Sequence, residues 1–350
     1  MLVAQGQHGL ILALNALVDQ TYWCPSCHEP VILRHGAHRV AHFAHRRGSH
    51  CRLSEGETQE HLLGKMQLYQ WAARRGYQPQ LEVYLPTIAQ RPDLLLRING
   101  RLVALEFQCS PLSLKRLQER NAGYHQLGIQ PWWLLGAPYQ RHLQSTKIAQ
   151  FTQLVAGRPA LLFWDTKKGC LRIDRSFARR SLTTKKQLTK STIIQIQTNH
   201  LMIFQIHHPA LLMRIMGRQI TYQLAACPFI CHDLQPAWPL MREPVILWRI
   251  GIIWHLMQLP PFTFWPYLDW INWLYSKIPV KWLNYGCISS SLLHEHFLYQ
   301  FTAELVSVRI LIQCAHGYLL LQRPVWFNSP AQKLNSLKNN RFSNGFALKY

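Results

Sequence analysis

Between residues 54 and 136 the spacing of hydrophobic positions changes several times, and each change marks an element. Leu62, Met66, Leu68, Tyr69 and Ala72 recur at helical spacing. A helix is therefore expected from Ser54 to about Ala73, with Glu55 and Glu57 at its positive end and Gly76 closing it. Leu81, Val83 and Leu85 alternate as a strand. Residues 93–98 and Arg101–Gln108 read as two more strands, joined by Asn99-Gly100. That dipeptide favours a two-residue hairpin turn, because both positions need positive φ. After Ser110-Pro111 the helical period returns as far as Leu127, and Gly128 ends it. Trp132, Trp133, Leu134 and Leu135 then form a short apolar strand before Gly136. The order is helix, three strands, helix, strand: an α/β domain.

The flanking regions differ in texture. Residues 1–52 are rich in His and Cys and broken by turn formers, which suits a small N-terminal element. Residues 53–139 are the α/β domain. Residues 140–200 are basic and read as a linker, and residues 201–350, rich in Leu, Ile, Trp and Pro, read as a mostly α-helical domain. The most apolar stretch, residues 244–275, is interrupted by Arg249, Pro260, Pro261, Pro266 and Asp269. A spanning helix needs about 20 largely apolar residues, so no membrane anchor is expected. The first residues lack the basic start of a signal peptide. Nine cysteines in 350 residues are too few for a secreted disulfide scaffold. These features together predict a cytoplasmic protein.

Charge narrows the partner. Thirty-eight Lys and Arg face sixteen Asp and Glu, a net +22, although only 15% of residues are charged. The excess comes from missing acids, and it calls for a polyanion, nucleic acid before an anionic membrane. The few acids become informative. The hairpin register places Asp93 opposite Glu106, with Cβ atoms about 4.5–5.5 Å apart, and Gln108 on the same face. Opposed like charges destabilise a sheet unless a cation separates them, and a divalent metal such as Mg²⁺ would do so. A solvated strand end with two surface acids is the plainer alternative. Glu57, His61 and Lys65, four apart, line one helix face that could point over Asp93.

Cys24-x₂-Cys27-x₁₄-His42-x₂-His45-x₅-Cys51 offers more ligands than a tetrahedral zinc site needs. Cys24, Cys27 and His45 are the expected set, with His42 or Cys51 as the fourth. Four protein ligands leave no open position, so this Zn²⁺ would be structural. A metal-free turn touching phosphate is the rival. Cys227-x₃-Cys231-His232 is a weaker motif, with no partner pair nearby. Arg175, Arg179, Arg180, Lys185 and Lys186 could track a phosphate backbone without reading bases, or could simply solvate a linker. Trp254, Trp265, Trp270, Trp273 and Trp282 fit a helical core better than base stacking.

Pro92-Asp93 followed by Glu106-Phe107-Gln108 resembles the PD-(D/E)XK nuclease motif in its ExQ variant. Cys24-Pro25-Ser26-Cys27, His42-Phe43-Ala44-His45, Glu57 with Glu60-His61 and Lys65, and Arg120 through Tyr124 to Trp132-Trp133 resemble the competence protein CoiA family. The resemblance implies a restriction-endonuclease-like αβββαβ core in a cytoplasmic protein that promotes recombination of incoming DNA during natural transformation. It implies a metal-dependent nuclease acting on recombination intermediates, with Asp93 and Glu106 as ligands of Mg²⁺ or Mn²⁺. Gln108 would stand where the superfamily usually has Lys, with Lys65 as its natural substitute. Glu57 joins the catalytic set and His61 the DNA contacts. Partners would be single-stranded or branched DNA and the RecA recombinase. The alternative is an inactive accessory that binds DNA or RecA, since an amide can orient water but cannot neutralise charge.

Overall fold

The computed structural model describes residues 1–36, 39–51, 57–141, 143–175, 189–216, 223–234 and 238–339. The chain divides into two units, Met1–Arg175 with Tyr285–Ile288, and Ser176–Asn284 with Ser289–Tyr350.

In the first unit, β1 (Val3–Gly6), β2 (Gly9–Leu12), β3 (Tyr22–Trp23), β4 (Pro30–Gly36) and β5 (Arg39–His45) form an antiparallel sheet in the order β2-β1-β3-β4-β5. Then come α1 (Gln59–Ala73), β6 (Gln80–Leu81), β7 (Leu94–Ile98), β8 (Arg101–Gln108), α2 (Leu114–Gln126) and β9 (Gln130–Leu135). Two short helices, α3 (Pro138–Arg141) and α4 (Ser145–Phe151), lead into β10 (Gln153–Val155), β11 (Arg158–Asp165) and β12 (Cys170–Asp174). The second sheet runs β10-β11-β9-β8-β7-β6, with β12 also on β11. β8 is parallel to β9 and β9 to β11. The runs Val103 to Phe107, apolar but for Glu106, and Ala160 to Trp164 are buried on both faces, as central parallel strands require.

Three expectations change. The first helix is capped by Thr58, whose hydroxyl accepts from His61 N at 3.2 Å, so Glu57 precedes it; Ser54 and Glu55 lie outside the described residues. The strand expected over residues 81–85 stops at Leu81, because Glu82 takes a left-handed conformation (φ 52°) that a strand cannot continue. Residues 140–174 are not a linker: β11 carries a fully apolar run and joins the domain's own sheet. Gly64 lets α1 lie flat on β8, since a Cβ there would stand 2.1 Å from the Phe107 ring. That approach brings His61 and Lys65 to the end of the hairpin.

The second unit contains α5 (Lys190–His207), α6 (Pro209–Met216), α7 (Val245–Gln258), β13 (Phe264–Pro266), α8 (Tyr267–Lys277), α9 (Ser290–Ser307), β14 (Leu311–Cys314), β15 (Gly317–Leu320) and α10 (Pro330–Asn339). The strands pair β13-β15-β14. α7 is buried from Leu247 through Trp254, and Trp254 and Trp270 belong to the core, with Trp265, Trp273 and Trp282 packed against it. Among the described residues no helix is long and apolar enough to cross a membrane.

Candidate active site and metal centre

Asn99 (φ 48°) and Gly100 (φ 78°) make the tight turn, and the ladder runs from Ile98 opposite Arg101 to Leu94 opposite Leu105. One step further are Asp93 and Glu106. Asp93 Oδ2 accepts from Phe107 N at 2.8 Å and from His61 Nε2 at 3.1 Å. Glu106 Oε1 accepts from Arg120 Nη2 and Tyr124 Oη, both from α2. His61 Nδ1 lies 3.6 Å from Glu57 Oε1. Lys65 is fully buried beneath these groups. Its Nζ donates to Glu57 and Glu82 and lies 3.8 Å from Asp93 Oδ1. Glu82 Oε2 in turn accepts from Leu2 N (2.8 Å) and Val3 N (3.0 Å), tying the N-terminal sheet to the hairpin.

The groups' electrostatics are set by burial against these pairings. Burial would raise Glu57, but the Lys65 ammonium beside it holds it down to about 2. Asp93 is likewise held down to about 2, by His61 and then Lys65. Burial pushes the His61 imidazole down, yet the Asp93 carboxylate more than reverses this and raises it. Glu106 goes the other way, raised by burial with Asp93 adding to it against the pull of Arg120. Two neighbouring carboxylates are thus driven apart, a pattern that active sites share.

The structure brings Glu57, His61, Asp93, Glu106 and Gln108 to the wall of one cavity of about 70 Å³. Within it, ligand atoms of Glu57, His61 and Asp93 lie within 4.8 Å of one another, a group that could hold a metal ion. Glu106 is not in that group. Lys65 is placed as a buried counter-ion rather than as a charge lining the cavity. Gln108 Nε2 donates to Ser110 O (2.7 Å) and Oγ (3.2 Å). Arg175 is exposed and donates to Val155 O at 3.1 Å, while Arg179, Arg180, Lys185 and Lys186 lie outside the described residues. Sequence reasoning missed Glu82 and Arg91, which also line the cavity. The one signal for Glu82 was an acid in a strand-like run of an acid-poor chain; its backbone conformation left no trace in the pattern.

The N-terminal sheet builds a second group. Cys24 and Cys27 sit on a turn in which Cys24 N donates to Glu29 O (2.8 Å) and Ser26 N points at Cys24 Sγ (3.4 Å). Cys24, Cys27, His45 and Cys51 place their ligand atoms within 4.8 Å of one another, which suits a tetrahedral ion. Cys51, not His42, is therefore the fourth member. Strand alternation decides it: His45 shares the inward face of β5 with Ala41 and Phe43, whereas His42 is on the other face and bonds Val40 O (2.9 Å). Burial raises Cys27, the neighbouring sulfurs add to it, and the thiol is pushed up to about 12. Three crowded thiols cannot all ionise without a cation, and a divalent metal would supply one.

Geometry of this kind, with acids at a hairpin end beside a Cys/His knuckle, belongs to a mixed α/β protein with a nuclease-like domain. Residues 57–210 match the family model "Competence protein CoiA, nuclease-like domain", and residues 12–54 match "Competence protein CoiA, N-terminal domain". The chain belongs to the competence protein CoiA family. It is 38% identical over 121 residues to competence protein CoiA of Bacillus subtilis (strain 168), a match over 34% of this chain. It spans about a third of that relative's length (32%). No solved structure matches the chain.

Proposed function

We propose that the chain is a metal-dependent nuclease with a restriction-endonuclease-like core, acting in the cytoplasm on single-stranded or branched DNA intermediates of natural transformation. The observation that carries this reading is the convergence of Glu57, His61 and Asp93 on one cavity that Glu106 and Arg120 also line. Two carboxylates and an imidazole suit Mn²⁺ and, less well, Mg²⁺, which prefers oxygen throughout. Glu106, held on Oε1 by Arg120 and Tyr124, stands beside that group on the cavity wall. When bound, the ion would polarise a phosphoryl oxygen and lower the pKa of an attacking water. The chain's own part is to hold Asp93 ionised and aimed, through Phe107 N and His61, and to keep Glu57 ionised through Lys65. Arg91 and Arg120 on the wall offer guanidinium charge to a phosphate. Cys24, Cys27, His45 and Cys51 would hold a structural Zn²⁺.

A second reading, an inactive accessory that binds DNA or RecA, is favoured by one observation. The ammonium of Lys65 is spent on buried carboxylates, so it does not replace the Lys in whose place Gln108 stands. Labelled branched and linear DNA, incubated with the protein in Mg²⁺, Mn²⁺ or EDTA, separates the two. Cleavage that needs the metal and disappears in Asp93→Ala supports the nuclease; metal-independent binding without cleavage supports the accessory. Affinity for duplex DNA should fall with salt by about 0.9 in log K per log salt for each neutralised phosphate, and by about 0.7 for single strands. Reversing Arg179, Arg180, Lys185 and Lys186 should flatten that slope.

A further inference from the structure

The second unit buries a polar cluster that the nuclease reading does not use. Cys227 and Cys231 flank a single short turn, and with His232 they are 0%, 0% and 1% exposed. The two thiols are near enough for each to shift the acidity of the other. His232 Nε2 lies 3.9 Å from Cys227 Sγ, and His232 Nδ1 lies 2.9 Å from Gln197 Oε1. Gln197 Nε2 donates to Asp233 O (2.8 Å), so Oε1 is the acceptor and His232 Nδ1 carries the proton. That leaves Nε2 as the nitrogen facing the sulfur. Lys333, also fully buried, donates from α10 to Cys227 Sγ (3.4 Å) and Ala225 O (2.9 Å).

A structural cysteine packs as a small hydrophobe and needs no such company. Here an imidazole, an ammonium and a second thiol converge on one sulfur inside a Leu, Ile and Trp core, where each uncompensated polar group would be costly. Burial alone would raise the Cys227 thiol, but the neighbouring Cys231 and His232 and the Lys333 charge bring it well below the usual thiol range. Cys231 is raised in turn. The pair is thus divided into an attacking and a resolving member. Pro228, Phe229 and Ile230, between the two thiols in sequence, line a cavity of about 300 Å³ with Trp326 and Phe327; the thiols themselves stand behind that wall, and a small neutral oxidant would reach them through it.

We propose that Cys227 and Cys231 are an oxidisable dithiol site that reduces a small peroxide and closes to an intramolecular disulfide, with Lys333 and His232 as positioning residues. The Cys227 sulfur attacks one peroxide oxygen; the O–O bond breaks, and the leaving oxygen takes a proton and departs as water or alcohol. Cys227 is then a sulfenic acid. The Cys231 sulfur displaces its oxygen, which leaves as water with the Cys231 proton. Two thiols have lost two electrons and the peroxide has gained them.

The test treats the reduced full chain with hydrogen peroxide, alkylates the remaining thiols and maps them by mass spectrometry. Cys170, exposed in the other unit, is the internal reference. Cys227 and Cys231 should disappear together, about tenfold faster than Cys170, as a peptide two hydrogens lighter. Lys333→Met, folded by circular dichroism, should lose about that tenfold advantage. Cys231→Ser should stop at a sulfenic acid that dimedone traps. Oxidation of Cys227 no faster than Cys170, or no trapped adduct in Cys231→Ser, overturns the proposal. If Lys333→Met does not fold, the Cys231→Ser result decides.

Discussion

The first unit contains two groups of metal-ligand residues, and they are neutralised in opposite ways. Glu57 and Asp93 come with their own cations: Lys65 is bonded to one and close to the other, and His61 is bonded to Asp93. Cys24, Cys27 and Cys51 have one another and His45, and the one guanidinium that lowers Cys24, that of Arg91, acts through space. The acid group can therefore stand folded without an ion, as an exchangeable catalytic metal requires. The thiol group has no such cation bonded to it among the described residues, and the proposed Zn²⁺ would supply its counter-charge. Ligand type and spacing do not separate these cases; the counter-charges do.

The largest effect should come from removing the proposed Zn²⁺. Protein purified without chelator should carry about one zinc per chain, and Cys24→Ser with Cys27→Ser should abolish it and unfold the β3–β5 sheet. His42→Ala should leave the zinc in place, because its side chain is on the other face of β5. Elemental analysis checks both. A folded, zinc-free wild type would erase the contrast.

Next is the buried ammonium. Lys65→Met would leave Glu57, Glu82 and Asp93 buried without their shared cation, a loss of about 3–5 kcal/mol in urea unfolding. Added Mn²⁺ should recover more stability in this variant than in wild type, since the carboxylates are then free for it. An unchanged urea midpoint would mean Lys65 is not their counter-ion.

The smallest effect is a pH dependence. Glu57 and Asp93 go from ordinary values of 4.5 and 3.8 to about 2 on folding. Their stabilisation is present above those ordinary values and is lost as pH falls towards about 2. His61 is raised, so its contribution is complete below 6.5 and disappears as pH rises through its folded value. Urea midpoints against pH should fall on both limbs, and His61→Gln should flatten the alkaline one and weaken the acid one, since His61 also holds Asp93 down. An unaltered alkaline limb would remove His61 from the Asp93 pair.

Much of this was legible before the structure. Asn99-Gly100 fixes the register that sets Asp93 and Glu106 at one end of the sheet, because a two-residue turn allows little else. Cys24-x₂-Cys27 and His45 declare themselves by spacing. Three things were not legible. The opposed acids suggest a site awaiting a metal, yet Arg120 and Tyr124 already hold Glu106, and spacing alone does not show which face of the following helix turns back onto the hairpin. Glu82 was hidden by a left-handed backbone that interrupts an apparently regular strand. The basic charge of residues 140–200 reads as a linker, although Leu161, Leu162, Phe163 and Trp164 within them are an apolar run of the length a buried strand needs.

The central claim is that Glu57, His61 and Asp93 hold the ion that cuts DNA. Mn²⁺ titrated into zinc-loaded protein and followed by electron paramagnetic resonance tests it most directly, in wild type and in Asp93→Asn. The amide can still accept from Phe107 N, so the fold should survive while a ligand charge is lost. Wild type should bind Mn²⁺ at a saturable site, and Asp93→Asn should bind it at least about tenfold more weakly, with zinc content unchanged and cleavage lost in parallel. Equal Mn²⁺ affinity in the two proteins, or cleavage that persists in Asp93→Asn, would contradict the account.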